Sequence, residues 1–156
     1  MKKIISLLSL FTIFFIHACK TNASISSAQE TAKSNDEIVY AMVYKNQQGT
    51  IKTKQTRIIT TNEAFTNLIT ELAIPATDYE TILNIDLKKY ALVAYFMGEK
   101  PSSGFDVKVE NVFVTDTKIE LTIGEIFPAK GDLVADVLTA PYVFIVVPKG
   151  KEIVVK

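Results

Sequence analysis

The chain has 156 residues, with 17 basic and 17 acidic side chains, one His, one Cys and no Trp. That length favours a single domain, and with no basic patch and no run of like charge, nucleic-acid binding has no electrostatic support. A lone Cys excludes an internal disulfide.

The chain opens on an address. Lys2 and Lys3 precede an uncharged run, Ile4–Ile16, dominated by Leu, Ile and Phe, and Ala18 is the small residue before Cys19. This is the layout of a secretory signal over residues 1–18, and its apolar run is too short to span a bilayer comfortably. The ending Ile16-His17-Ala18-Cys19 resembles the lipobox of bacterial lipoproteins. That resemblance implies that Cys19 becomes the first mature residue and carries lipid on its sulfur and its amine. A secreted protein with a free Cys and an uncleaved anchor are the alternatives, and the position of the only Cys favours the lipoprotein. The expected location is the bacterial cell envelope, lipid-anchored at the outer membrane. Attachment would come from lipid and not from charge, since two or more acyl chains anchor stably where one is marginal.

The same subtraction removes chemistry. The only His, His17, lies in the signal. A Ser-His-Asp triad, Cys-His catalysis and His- or Cys-based zinc sites therefore have no residues to be built from. Carboxylate chemistry, Ser-Lys chemistry or an oxygen-ligand metal remain open.

Residues 19–37, rich in Ser, Thr, Asn, Gln and Ala, carry too little apolar surface to offset their ordering entropy and are expected to be a flexible tether. A single domain, 38–156, follows. Ile38–Tyr44 is β-branched and aromatic, a strand. Asn46-Gln47-Gln48-Gly49 reads as a turn and Ile51–Ile59 as a second strand. The two are expected to form a hairpin at a sheet edge, where Lys52, Lys54 and Arg57 discourage edge pairing. Thr60-Thr61-Asn62-Glu63 fits a capping box with Thr60 as N-cap. Phe65, Leu68, Ile69 and Leu72 follow at helical spacing, and Pro75 closes the helix. Ala76–Lys89 is a connector whose Asp78, Glu80 and Asp86 lack a metal-loop pattern.

Tyr90–Met97 is charge-free and bounded by Gly and Pro, the pattern of a strand buried on both faces. After the turn cluster Gly98–Gly104, Phe105–Val114 alternates as a strand with one wet face, and Ile119–Ile123 returns the same way. Phe127–Pro141 is a long loop. Tyr142–Val147 is a second doubly buried run, and Ile153–Val155 ends the chain. The class is β-rich α+β: a mostly antiparallel sandwich or partly closed barrel of about seven strands with one short helix.

Several strings resemble the family of the protease-complex subunit PrcB. Its distinctive piece is a strand entering a loop of the type Gly-x-Arg/Lys-x-Thr-Gly-Gly-Tyr, and Met97-Gly98-Glu99-Lys100-Pro101-Ser102-Ser103-Gly104-Phe105 is similar to it. Val107 and Val109 continue the likeness, Thr139-Ala140-Pro141-Tyr142-Val143 resembles a Thr-x-Pro-Tyr feature, and Arg57-Ile58-Ile59 before a short helix fits upstream. The likeness runs over roughly 51–155. Ser103 and Phe105 depart from the pattern, and a first Gly that needed positive φ would leave Ser103 strained. The resemblance implies a non-enzymatic lipoprotein that associates with and stabilises a secreted protease complex, and it carries no catalytic residues.

The candidate contact surface is therefore Gly98, Lys100, Pro101, Ser102, Ser103, Gly104 and Phe105, with Pro141 and Tyr142 entering the last long strand. Gly and Pro shape its backbone, Lys100 offers a charge, and Phe105 or Tyr95 an aromatic anchor; a plain turn is the alternative. The long loop through Pro141 is the second candidate. Its Asp132 and Asp136 lack calcium-loop spacing and read as solvated. No catalytic residue, metal or cofactor is expected. The expected partners are the membrane, through lipidated Cys19, and a protein, with a protease as one candidate class. The alternatives are a protease inhibitor, given a loose similarity of Lys100–Phe105 to the Pro-Thr-Thr-Gly-Tyr loop of some cysteine-protease inhibitors, and a glycan- or small-ligand-binding lipoprotein.

Overall fold

A computed structural model describes residues 31–34 and 37–156; the expected signal, Cys19 and residues 19–30 of the expected tether lie outside the described residues. In chain order the elements are β1 (Thr31–Ser34), β2 (Glu37–Asn46), β3 (Gln55–Ile59), α1 (Asn62–Glu71), a 3-10 turn at Ala76–Asp78, α2 (Tyr79–Ile82), β4 (Tyr90–Phe96), β5 (Asp106–Val114), β6 (Lys118–Ile126), β7 (Tyr142–Pro148) and β8 (Glu152–Val155). Among the described residues no helix is long and apolar enough to cross a membrane.

The two charge-free runs decide the arrangement. A strand without polar side chains must be covered on both faces, so β4 and β7 pair with each other inside a five-stranded sheet of order β1-β2-β7-β4-β3. Their side chains alternate between two interiors. Leu92, Ala94 and Phe96 with Tyr142, Phe144 and Val146 face Phe65, Leu68 and Ile69 of α1 and Ile82 of α2. Ala91, Val93 and Tyr95 with Val143, Ile145 and Val147 face Val107, Ile119 and Leu121 of a second, three-stranded sheet, order β5-β6-β8. The result is three layers: helices, large sheet, small sheet. It is the β-rich, mostly antiparallel sandwich expected, with a helical cover and without barrel closure. β8 departs from the antiparallel rule and pairs parallel with β6.

The expected hairpin of the first two strands does not form. β2 pairs with β7 and β3 with β4, so the two most apolar strands separate them. The physical reason is burial: the central places cover both faces, and the more polar β3, with Arg57 and an exposed Ile58, takes the edge. β3 also starts later than expected. Ile51 is spent on the helix-side core and the Lys52 carbonyl accepts from Glu99 N, so 51–54 wraps across the strand ends. Thr31–Ser34, expected within the tether, runs antiparallel beside β2. An edge strand needs only backbone partners, so poor apolar composition does not forbid it.

α1 starts one residue later than the capping box suggests. Thr61, not Thr60, is the N-cap, its Oγ1 accepting from Ala64 N at 3.3 Å. The helix ends before Pro75 is reached. Ala73 turns left-handed at φ 49°, Ala73 N donates to Thr70 O, and Ile74 N donates to Ile69 O. That is a Schellman ending with Ala in the place Gly usually takes. Ile69 and Ile74 are both buried in the helix-side core, the apolar contact that such an ending favours.

Candidate docking surface

The β4–β7 ladder does not stop where the strands stop. Beyond the Phe96–Tyr142 pair, Met97 N donates to Pro141 O at 2.9 Å, Lys100 N to Thr139 O at 2.7 Å and Thr139 N back to Lys100 O at 3.0 Å. Thr139 Oγ1 donates to Ser102 O at 2.9 Å, and Ser103 N donates to Ala135 O at 3.0 Å. The two loops singled out in the sequence are thus one structure, pinned along their length. A third segment joins it, since Ala140 N donates to Gln47 O and Gly49 N to Ala140 O.

Gly98 makes this possible. It sits at φ 75°, and a Cβ there would stand 2.9 Å from both Lys52 O and Lys54 N. Positive φ and close backbone approach both require glycine. Gly104, at φ 90°, is the second left-handed position. Ser103 is not one, so its departure from the family pattern carries no strain. Its hydroxyl instead accepts from Ala135 N at 2.8 Å and adds a bond to the clamp.

The sequence candidates divide by burial. Gly98, Pro141 and Tyr142 are buried. Tyr142 packs against Tyr44, Phe96 and Phe144, so these three residues serve the fold and offer a partner nothing. Tyr95 is likewise buried, its hydroxyl donating to Glu125 at 2.9 Å. Ser102 Oγ donates to Ser103 O, so both serine hydroxyls are engaged with backbone. Lys100 instead stands 5.9 Å from the Phe105 ring centre, so no Ser-Lys pair is assembled. Pro101 and Gly104 are exposed and Phe105 half-buried. Phe105 meets Phe127 edge-on with centroids 5.8 Å apart.

The long loop holds what the sequence reading passed over. Leu133 is 103 % exposed, Leu138 62 %, Phe127 58 %, Val137 45 % and Val134 40 %. Large exposed apolar groups concentrated in one loop mark an interaction site. The signal was available as Leu133-Val134 and Val137-Leu138 in a segment with no strand alternation. Asp132 is accounted for by its own turn, Oδ2 accepting from Ala129 N at 2.7 Å. Among the described residues no acidic cluster could hold a metal.

Around the loops the charges are neutralised in pairs: Lys45–Asp106 at 2.6 Å, Lys54–Glu125 at 3.3 Å and Lys52–Glu99 at 3.5 Å. Burial, then the bond to Glu125, pushes the Tyr95 hydroxyl above the ordinary tyrosine value. Burial pushes Tyr142 up further, with Tyr44 beside it adding to the effect.

Residues 91–148 match the sequence family described as PrcB C-terminal. Over this segment the chain is similar to that family. The PrcB C-terminal match begins in β4 and ends in β7, so it contains both loops and the ladder joining them, and it leaves out β1 to β3 and α1. Within it, the Thr-x-Pro-Tyr string is explained by position: Thr139 ties the loops, Pro141 O continues the ladder and Tyr142 fills the helix-side core. No curated protein and no solved structure matches the chain.

Proposed function

We propose that the chain is a non-enzymatic, lipid-anchored envelope protein that binds and stabilises a partner protein, a secreted protease complex being the partner class that the PrcB resemblance suggests. The observation that carries this reading is the contiguous group Lys100, Phe105 and Phe127 on the flank of the loop pair. An exposed aromatic ring backed by a second ring and a cation, on a backbone already fixed by hydrogen bonds, is the composition of an interface hot spot. Lipidation at Cys19 would keep the protein at the envelope.

The test is affinity purification of the intact protein from detergent-solubilised native membranes at low salt, with mass spectrometry of what accompanies it. A stoichiometric partner is expected with the native sequence. It should be lost with Phe127→Ser and weakened with Lys100→Glu, while thermal unfolding of both variants stays near that of the parent. Absence of any stoichiometric partner, or retention of the partner by both variants, defeats the reading.

A further inference from the structure

The flank of the loop pair does not account for its outer turn. Leu133, Val134, Val137 and Leu138 project into solvent, and no loop–loop hydrogen bond requires their side chains. We infer that this turn rests on the bilayer to which Cys19 is attached. The inference depends on the lipid anchor of the proposed function, and not on the identity of any protein partner.

Chain direction carries the argument. β1 is antiparallel to β2, with Thr31 opposite Ala41 and Ser34 opposite Glu37. β2 in turn runs towards the loop end, where Asn46 lies opposite Tyr142. The chain therefore enters β1 from the loop side, and Thr31 is the end of β1 nearer the apolar turn. Thr31 lies level with Ala41, five residues short of Asn46, which is about 17 Å along a strand. The twelve residues from Cys19 to Glu30 can reach at most roughly 40 Å. An anchor on a leash of this length makes contact between turn and bilayer an intramolecular event, and the turn's apolar side chains then set which face meets the membrane.

The charge pattern fits the same occupant. The cations flanking the loops, Lys45, Lys52 and Lys54, each have a carboxylate partner, while Lys100, Lys130, Asp132 and Asp136 within the loops stay charged only if the contact is shallow enough to leave them at the headgroup level. The opposite end is basic, with Lys88, Lys89, Lys149 and Lys151 around the Tyr90–Pro148 pair. A membrane contact through that end would be electrostatic and sensitive to salt, whereas one through the turn is apolar and is not. Four aliphatic side chains and no basic cluster make a shallow interfacial contact that orients the domain, with anchoring left to the acyl chains.

The experiment uses the mature lipidated protein in vesicles of phosphatidylethanolamine and phosphatidylglycerol. An environment-sensitive fluorophore is attached at Leu133→Cys or, at the other end, at Lys88→Cys, and mass spectrometry reports the acyl groups on Cys19. The expected result is blue-shifted emission and quenching by a lipid-borne quencher at position 133, unchanged in high salt, with neither effect at 88. Adding Val134→Asp and Leu138→Asp to the labelled protein should lower the inserted fraction at least about tenfold without releasing the protein from vesicles. Acylated protein with an unquenched probe at 133 overturns the inference and leaves the anchor standing; the turn is then free for a protein. Quenching at 88 that salt abolishes overturns it in favour of the basic end. An unacylated Cys19 removes the anchor and the inference together.

Discussion

The two faces of the large sheet enclose different interiors. On the helix side Tyr44, Phe96, Tyr142 and Phe144 pack ring against ring, centroids 5.5 to 5.9 Å apart. On the small-sheet side Val93, Val143, Ile145 and Val147 meet Val107, Ile119 and Leu121. The same strands supply both, so backbone geometry is not the source of the difference. The aromatic side carries directional bonds as well as volume: Tyr44 OH donates to Asp78 Oδ2 at 2.6 Å and accepts from Asn46 Nδ2 at 2.9 Å. These bonds sit where β2 runs out towards the loops. The small-sheet interior carries one such bond, Tyr95 OH to Glu125; the aromatic interior links its bonds to the end of the sheet from which the docking surface grows.

The largest expected effect that would break this contrast is Tyr142→Ala. Truncating a fully buried ring at the centre of the aromatic cluster should cost about 3–5 kcal/mol in urea unfolding, and it should also free the loop amides that hang from β7. The alkaline limb separates the two faces next. Free tyrosine ionises near pH 10, and burial raises Tyr142 and Tyr44 above that in the fold. The folded state therefore holds protons that the unfolded state releases, so the tyrosines' contribution to stability is constant below about pH 10 and falls as pH rises beyond it. Tyr142→Phe should flatten that fall. It should not abolish it, because Tyr44 and, on the other face, Tyr95 are also raised.

Tyr44→Phe tests the directional bonds alone. Loss of the donor to Asp78 should cost about 1 kcal/mol at neutral pH. Ile145→Val is the matched change on the aliphatic face, about 0.5–1.5 kcal/mol from lost volume, and it should leave the exchange rates of the loop amides unchanged, which Tyr44→Phe should not. The smallest effect is a gain. Ala73→Gly relieves a left-handed alanine at the end of the helix that covers the aromatic face, and thermal unfolding should show about 0.5–1 kcal/mol of added stability.

What the sequence revealed follows from which signals are local. β4 and β7 were legible because burial on both faces demands an uninterrupted apolar run, as Tyr90–Phe96 and Tyr142–Val147 supply. Partner choice was not legible. Asn46 to Gly49 has hairpin chemistry, yet β2 and β3 are parted by two strands with a stronger claim to the centre. The Thr61 cap was missed by one residue because Thr60 and Thr61 are the same residue type, and the choice rests on which hydroxyl meets Ala64 N. At the candidate site, Pro141, Tyr142 and Gly98 were taken for surface, since the residue types that shape a binding loop also shape a buried turn. Leu133, Val134, Val137 and Leu138 went unread for the opposite reason. Apolar residues declare a buried element through their period, and a loop has none.

The continuation of the β4–β7 ladder into Met97–Ser103 and Ala135–Pro141 bears on how recognition would proceed in time. Loops of ordinary build lose conformational freedom when a partner arrives, and that loss weakens and slows the encounter. Here the freedom is surrendered when the central strands pair, long before any partner is met. A surface made this way should associate as a rigid body, with substitutions at its rim changing the lifetime of the complex far more than the rate of its formation.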